Sequence, residues 1–239
     1  MARILNIETS TRVCSVALAE NGKVTAIQES TVKNSHARHI TVFAEQIIYE
    51  AGITFQDLDA IAVSQGPGSY TGLRIGVSTA KGFCYSLDKP LIAVGTLPSM
   101  AFGMIQKLKN EESFRDDLLF CPMIDARRME VYSAVYNSKI EEIREIRAEI
   151  IDENSFSGFF NRGKTLVFMG DGAPKCRSVL LSHSENTVFA DDFQPSAAFM
   201  APLAEEKWQK KQFEDTAYFE PFYLKDFIAG IPHVKGLRD

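Results

Sequence analysis

Three short apolar runs stand ahead of the first helical period, and that order limits the fold more than any other feature of the chain. Residues 4–7 read as a buried strand and residues 13–19 as a second, with Cys14, Val16 and Leu18 on one face. A third runs from about 24 to 29, after Asn21–Gly22, a pair that favours a tight hairpin turn. An antiparallel meander of this kind is not the opening of a Rossmann unit, whose first strand feeds a helix directly. A helix follows near 36–51, with Ile40, Phe43, Ile47 and Ala51 on one stripe and Gly52 placed for its C-cap. A strand over 60–64, a glycine-rich loop, a helix over about 71–87 and a strand over 91–94 complete the order βββαβαβ.

Beyond residues 96–98 the pattern predicts a helix to about 109, a charged loop over 110–117, and strands over 118–124 and 130–136. Another strand at 165–169 ends in the turn Gly170–Asp171–Gly172. A helix around 196–211 carries Pro202 in its interior, where a kink is expected. The tail, 218–239, is rich in Pro, Gly and basic residues and is expected to fray at its end. Residues 1–98 with a returning segment, about 195–239, form a first lobe; residues 99–194 form a second, smaller α/β lobe.

At 239 residues and 45% hydrophobic content the chain can bury a sizeable core. A net charge of −5 with dispersed basic residues gives no electrostatic footprint for nucleic acid, so weak RNA binding by the chain alone is expected. Its cysteines, Cys14, Cys84, Cys121 and Cys176, form no CxxC pair, and they read as packed thiols in a reducing compartment. No apolar run reaches the length of a membrane span, which predicts a cytoplasmic protein.

The loop SQGPGSYTGLRIGVSTAKGF, 64–83, sits where a strand–loop–helix unit would cradle phosphate on free backbone N–H groups. Its spacing fits neither GxxxxGK[ST] nor GxGxxG. Instead Gly72, Gly76 and Ala80 fall at i, i+4 and i+8, so one ridge of the helix is nearly bare, flanked by Leu73, Val77 and Cys84. Glycine inside a helix costs roughly 0.5–1 kcal/mol relative to Ala. That cost is offset either by close packing on the chain's own sheet or by close approach of a helix from another subunit. His36 and His39, at i, i+3, offer two metal ligands without a third, or a surface role. No G-x-S-x-G elbow is present.

Together IETSTRVCSVAL (7–18), QGPGSYTGLRIGVSTAKGF (65–83), IDARRMEVY (124–132) and PFYLK (221–225) resemble the TsaB family, also called YeaZ. The resemblance implies an α/β, two-lobe actin-like fold of the ASKHA or RNase H-like kind with mixed sheets. It implies a non-catalytic subunit that pairs with a catalytic TsaD-type protein and a TsaE-type ATPase for N6-threonylcarbamoyladenosine modification of tRNA position 37. No cofactor is then required by this chain alone, ATP and Mg²⁺ enter at the level of the complex, and tRNA is met through the complex. A homodimer is expected when the partner is absent. Pairing through the first lobe's two helices would use His36, His39, Ile40 and Phe43 on one, and Gly72, Leu73, Gly76, Val77, Ala80 and Cys84 on the other.

Active relatives in this superfamily hold Mg²⁺ through an acidic residue after the first strand, and Glu8, Thr9, Ser10 and Thr11 occupy that place here. Glu is one methylene longer than the Asp of many relatives, and the hydroxyls equally suit a turn. Asp125 has a choice between Mg²⁺ and pairing with Arg127 or Arg128. Gly170 and Gly172 face an adenine or form a turn. Two other readings remain, an ATP-dependent phosphotransferase and a metallopeptidase of the same superfamily.

Overall fold

The computed structural model describes residues 1–32 and 36–225, the side chains of 182–184 excepted. Strands β1 (Arg3–Glu8), β2 (Cys14–Glu20) and β3 (Lys23–Ser30) form the expected meander, with Asn21 and Gly22 both at positive φ, 50° and 74°, in the hairpin turn. Helix α1 (His36–Glu50), strand β4 (Ala60–Gly66), helix α2 (Tyr70–Leu87) and strand β5 (Leu91–Gly95) complete a five-stranded sheet ordered β3-β2-β1-β4-β5. β1 is antiparallel to β2 and parallel to β4, which is parallel to β5. Side chains explain the order. β1 and β4 are apolar on both faces and suit a doubly covered centre, whereas β3 alternates apolar and polar and serves as an edge.

Helix α3 (Thr96–Asn110) then leads into β6 (Leu119–Asp125), β7 (Glu130–Tyr136), β8 (Glu142–Ile150), the single-turn α4 (Ser157–Phe160), β9 (Leu166–Met169), α5 (Ala173–Leu180), β10 (Thr187–Ala190) and α6 (Ala197–Gln209). The second sheet runs β8-β7-β6-β9-β10, with an antiparallel meander on one side and two parallel strands on the other. It repeats the first sheet strand for strand. The sequence reading assigns no element to β8, α4, α5 or β10. In β8 the apolar residues Ile143, Ile146 and Ile150 fall at helical spacing, and only pairing with β7, through two register shifts, makes the segment a strand.

α1 and α2 cover one face of the first sheet, burying Leu5, Ile7, Val16, Ile40, Ile47, Ile61 and Val77. α6 covers the other face, with Met200 and Ala204 on Ile4, Ala62 and Ile92. In the second lobe α3 sets Leu97, Met100 and Met104 against Phe120 and Met169. α5 and residues 156–160 close its far face. Each of these large side chains stabilises the fold by roughly 1.5–3 kcal/mol on burial. α3 and α6 also pack against each other as a middle layer, where the missing side chain of Gly103 leaves room for the Phe199 ring. α6 runs through Pro202 as one helix.

All four cysteines are free and buried. No helix among the described residues is long and apolar enough to cross a membrane. The tail packs against the body as far as Lys225, and its end, residues 226–239, where fraying is expected, lies outside the described part.

Candidate functional site

Three of the quoted motifs line the cleft between the lobes, and the fourth, 7–18, lies behind Gly68 of the motif 65–83. The turn after β1 carries Glu8, Thr9, Ser10 and Thr11, all buried. Glu8 points into the first lobe, where its Oε1 accepts the Ser10 N–H at 2.6 Å. Complete burial pushes its carboxyl above the ordinary 4.5, although Ser10 and Ser64 donors work against the shift. The same carboxyl, with burial as the larger cause, helps to push the Cys14 thiol up to about 12. The Thr9 N–H is taken by Ser64 Oγ at 3.2 Å, and the Ser69 N–H by the Ser10 carbonyl at 2.6 Å. Glu8 Oε2, Thr9 Oγ1 and Ser10 Oγ of the same turn are buried without a hydrogen-bond partner among the described residues.

The bare ridge of α2 faces that turn. A Cβ on Gly72 would fall inside the radius of the Thr9 carbonyl oxygen, one on Gly76 inside that of Thr9 Oγ1, and one on Gly68 inside that of the Ser10 carbonyl. Close approach within the chain is therefore what these glycines permit. Ser69 begins the helix, its Oγ accepting the Gly72 N–H at 3.3 Å, and Asp88, at φ 55°, ends it.

The expected partner surface needs correction on this point. Gly72, Leu73, Gly76, Val77, Ala80 and Cys84 are buried inside the chain, and so are His36 and Ile40, because a helix lying on a sheet turns its smallest and most apolar stripe inward. The His36 ring lies 3.0 Å from the Thr11 carbonyl and 3.2 Å from that of Val13 through Nε2. Both partners are acceptors, so Nε2 is the protonated nitrogen and is engaged in holding the turn. His39 and Phe43 remain partly accessible, their rings 5.0 Å apart. Among the described residues no three His, Cys, Asp or Glu come together as a metal site. What α2 turns outward is Thr71, Arg74, Ser78, Gly82 and Tyr85, the last 90% exposed.

The second lobe builds the opposite wall at the equivalent place. Asp125 ends β6, and its neighbours are not the side chains of Arg127 or Arg128, as the sequence suggests. Lys175 of α5 is its ion-pair partner, and the Arg127 backbone N–H donates to Oδ1 at 2.9 Å. Both arginines sit at positive φ, which turns their side chains out to solvent. Burial tends to raise the Asp125 carboxyl, but Lys175 and the Arg127 N–H outweigh it and hold the group below the ordinary range. Asp171 accepts the Asp125 N–H at 2.9 Å, and burial, with Asp125 nearby, pushes its carboxyl up. The charge of Arg12, from the first-lobe turn, acts on both carboxyls. Gly170, at φ 99°, lies on the Met123 carbonyl, and Gly172 donates to the same oxygen at 3.0 Å. They are turn formers packed on β6.

Between the walls lies a cleft of about 300 Å³, lined by Tyr70, Asp125, Arg127, Tyr132, Tyr223 and Lys225 among others. Arg12, Tyr70 and Tyr132 lie inside the quoted motifs but were not singled out there, and Lys175, on the short helix α5, lies outside all four.

Against known proteins, the family model described as TsaD, tRNA N6-adenosine threonylcarbamoyltransferase, matches residues 24–232. The tRNA threonylcarbamoyladenosine biosynthesis protein TsaB of Escherichia coli is 31% identical over 232 residues, 95% of this chain and 96% of that protein. The solved structure of YeaZ from Pseudomonas aeruginosa superposes with a TM-score of 0.76 at 24% identity, over 94% of this chain and 100% of that one. The activator of 2-hydroxyisocaproyl-CoA dehydratase from Clostridium difficile, with bound ADPNP, has the same actin-like two-lobe fold, with a TM-score of 0.50 at 9% identity over 88% of this chain and 97% of that one. With a family model spanning most of its length and a full-length relative above 30% identity, the chain belongs to the TsaB (YeaZ) family of tRNA threonylcarbamoyladenosine biosynthesis proteins.

Proposed function

We propose that this chain is a non-catalytic partner in threonylcarbamoyladenosine synthesis, pairing with a TsaD-type transferase and working with a TsaE-type ATPase in the cytoplasm. The observation that carries the reading is the sealed turn after β1. An acidic residue meant to hold Mg²⁺ must reach the cleft, and Glu8 is instead fully buried, while Gly68, Gly72 and Gly76 let the loop and the start of α2 close on Thr9 and Ser10. ATP and tRNA are then met at the level of the complex. The family model, drawn from the transferase itself, supports descent from a common fold.

The partner surface in this reading is the outward side of α1 and α2, with Val42, Tyr49, Ser78 and Tyr85 exposed, and a homodimer through the same face forms when the partner is absent. The decisive experiment is reconstitution. The purified chain alone gives no threonylcarbamoyladenosine and no enzymatic ATP turnover; adding a TsaD-type protein, a TsaE-type protein, threonylcarbamoyl-adenylate and tRNA gives product. Robust turnover by the isolated chain overturns the non-catalytic role. Ser78→Arg, on the exposed face, leaves melting within about 0.5 kcal/mol of the wild type while abolishing co-purification with the transferase. Unchanged co-purification moves the interface elsewhere.

A further inference from the structure

The cleft between the lobes looks at first like a receptor, but two of its charged side chains, Asp125 and Lys225, are already paired within the chain. Asp125 is paired with Lys175, and Lys175 Nζ also reaches the Glu130 carbonyl at 2.7 Å. The Glu130 carboxylate is paired with Lys225, in the segment that follows α6. That segment is built into the body along its length. Lys81 of α2 donates to the Ala217 and Phe219 carbonyls, each at 3.1 Å. The Phe222 N–H donates to the Gln65 carbonyl at 2.7 Å, and Gly66 has no side chain where the Phe222 carbonyl passes, 2.8 Å from the place of a Cβ. The Tyr223 ring lies 5.1 Å from that of Tyr70, and its hydroxyl accepts from Arg74 Nε at 3.3 Å while the Arg74 guanidinium covers Tyr70 at 4.4 Å.

The chain thus leaves the first lobe at Gln65, Tyr70 and Arg74 and within three residues reaches the second lobe at Glu130. Of the ion pairs among the described residues, Lys225–Glu130 is the one in which this segment reaches the second lobe. We infer that residues 219–225 are an interlobe latch, which ties the loop after β4 to the strand after the β6–β7 turn and fixes the angle between the lobes. Clefts of two-lobe proteins open and close about a few hinge residues, and a strap fastened to both walls resists that motion. The fastening at the far end is a partly exposed ion pair, 42% and 23% accessible at its two side chains, which is individually weak. The latch is therefore releasable, held firmly on the first lobe by backbone and aromatic contacts and lightly on the second by charge.

The test measures the distance between spin labels on exposed residues of the two lobes outside the α1–α2 face, Val24→Cys and Ile150→Cys, in the otherwise full chain at a concentration where it is monomeric. The unaltered latch gives one narrow distance. Lys225→Glu and Glu130→Lys, each alone, should add a second, longer population, rising roughly fivefold as the closed state loses its charge contact. The double reversal should return the single narrow distance. Tyr223→Ala, which loosens the first-lobe end, gives a second route to the same opening if a charge variant folds poorly. A distribution unchanged in all three single variants, or an opening that the double reversal does not reverse, overturns the latch.

Discussion

The two lobes are built on one topology and yet finish their cleft-facing turns in opposite ways. In each, a carboxylate ends the first central strand and glycines after the fourth strand close on the chain beside it: Gly68, Gly72 and Gly76 on Thr9 and Ser10 next to Glu8 in the first lobe, Gly170 and Gly172 on the backbone of 123–125 in the second. Glu8 is inside its lobe, without a cation, and shifted up. Asp125 stands in the cleft, paired with Lys175, and is shifted down. One methylene and one neighbouring lysine separate a structural acid from a surface ion pair. Position in a shared fold therefore does not fix what a carboxylate can do; its solvation and its partner do.

The comparison breaks most readily at the glycines. Gly72→Ala places a Cβ inside the Thr9 carbonyl, and since backbone must move to admit it, we expect a loss of about 3 kcal/mol or more. For a chain of this size that lowers the melting temperature by roughly 6–12 °C, read by calorimetry on the isolated protein. Gly170→Ala meets the Met123 carbonyl at a positive φ and should cost as much. Melting preserved in the first variant alone would mean that the two turns are not sealed alike.

The acids sharpen the contrast through pH. The folded pKa of Glu8 is raised, so above the ordinary 4.5 the folded chain retains a proton that the unfolded chain has released, and stability falls as pH rises through that window. Glu8→Gln should accordingly flatten the decline of the melting temperature as pH rises above 4.5 and leave the variant the more stable on the alkaline side. A lower melting temperature at pH 7.5 in this variant would show the carboxylate to be charged and useful.

Asp125 has the opposite sign. Its folded pKa lies below the ordinary 3.8, so its contribution is present above that value and is lost as pH falls through the folded pKa. Because the pair is partly exposed, Asp125→Asn should cost under about 1 kcal/mol at pH 7 and nothing below the folded pKa. A cost that persists in acid would assign Asp125 a role other than pairing with Lys175.

Much of the first lobe was legible in the sequence because its elements carry plain patterns: β1 and the start of β4 are short apolar runs, β2 sets Cys14, Val16 and Leu18 on one face, and α1 and α2 carry a single stripe. The second lobe was less so, since β8 carries its isoleucines at helical spacing and the four-residue β10 is too short to show any. The motif residues of the site could be picked out. Which way they faced could not, because a bare ridge on a helix looks the same whether its own sheet or another subunit fills it.

By itself the sequence determined the order of strands and helices in the first lobe, the absence of a phosphate-loop spacing, and the likeness to TsaB, all of which are local or collinear properties. Only the tertiary structure decided that Thr9 fills the glycine ridge, that Glu8 turns inward, that Asp125 takes Lys175 from fifty residues away, and that PFYLK returns to fasten the two lobes. Each of those depends on contacts between segments far apart in the chain, and their energy comes from burial and charge pairing that exist only once both sheets have closed around α3 and α6.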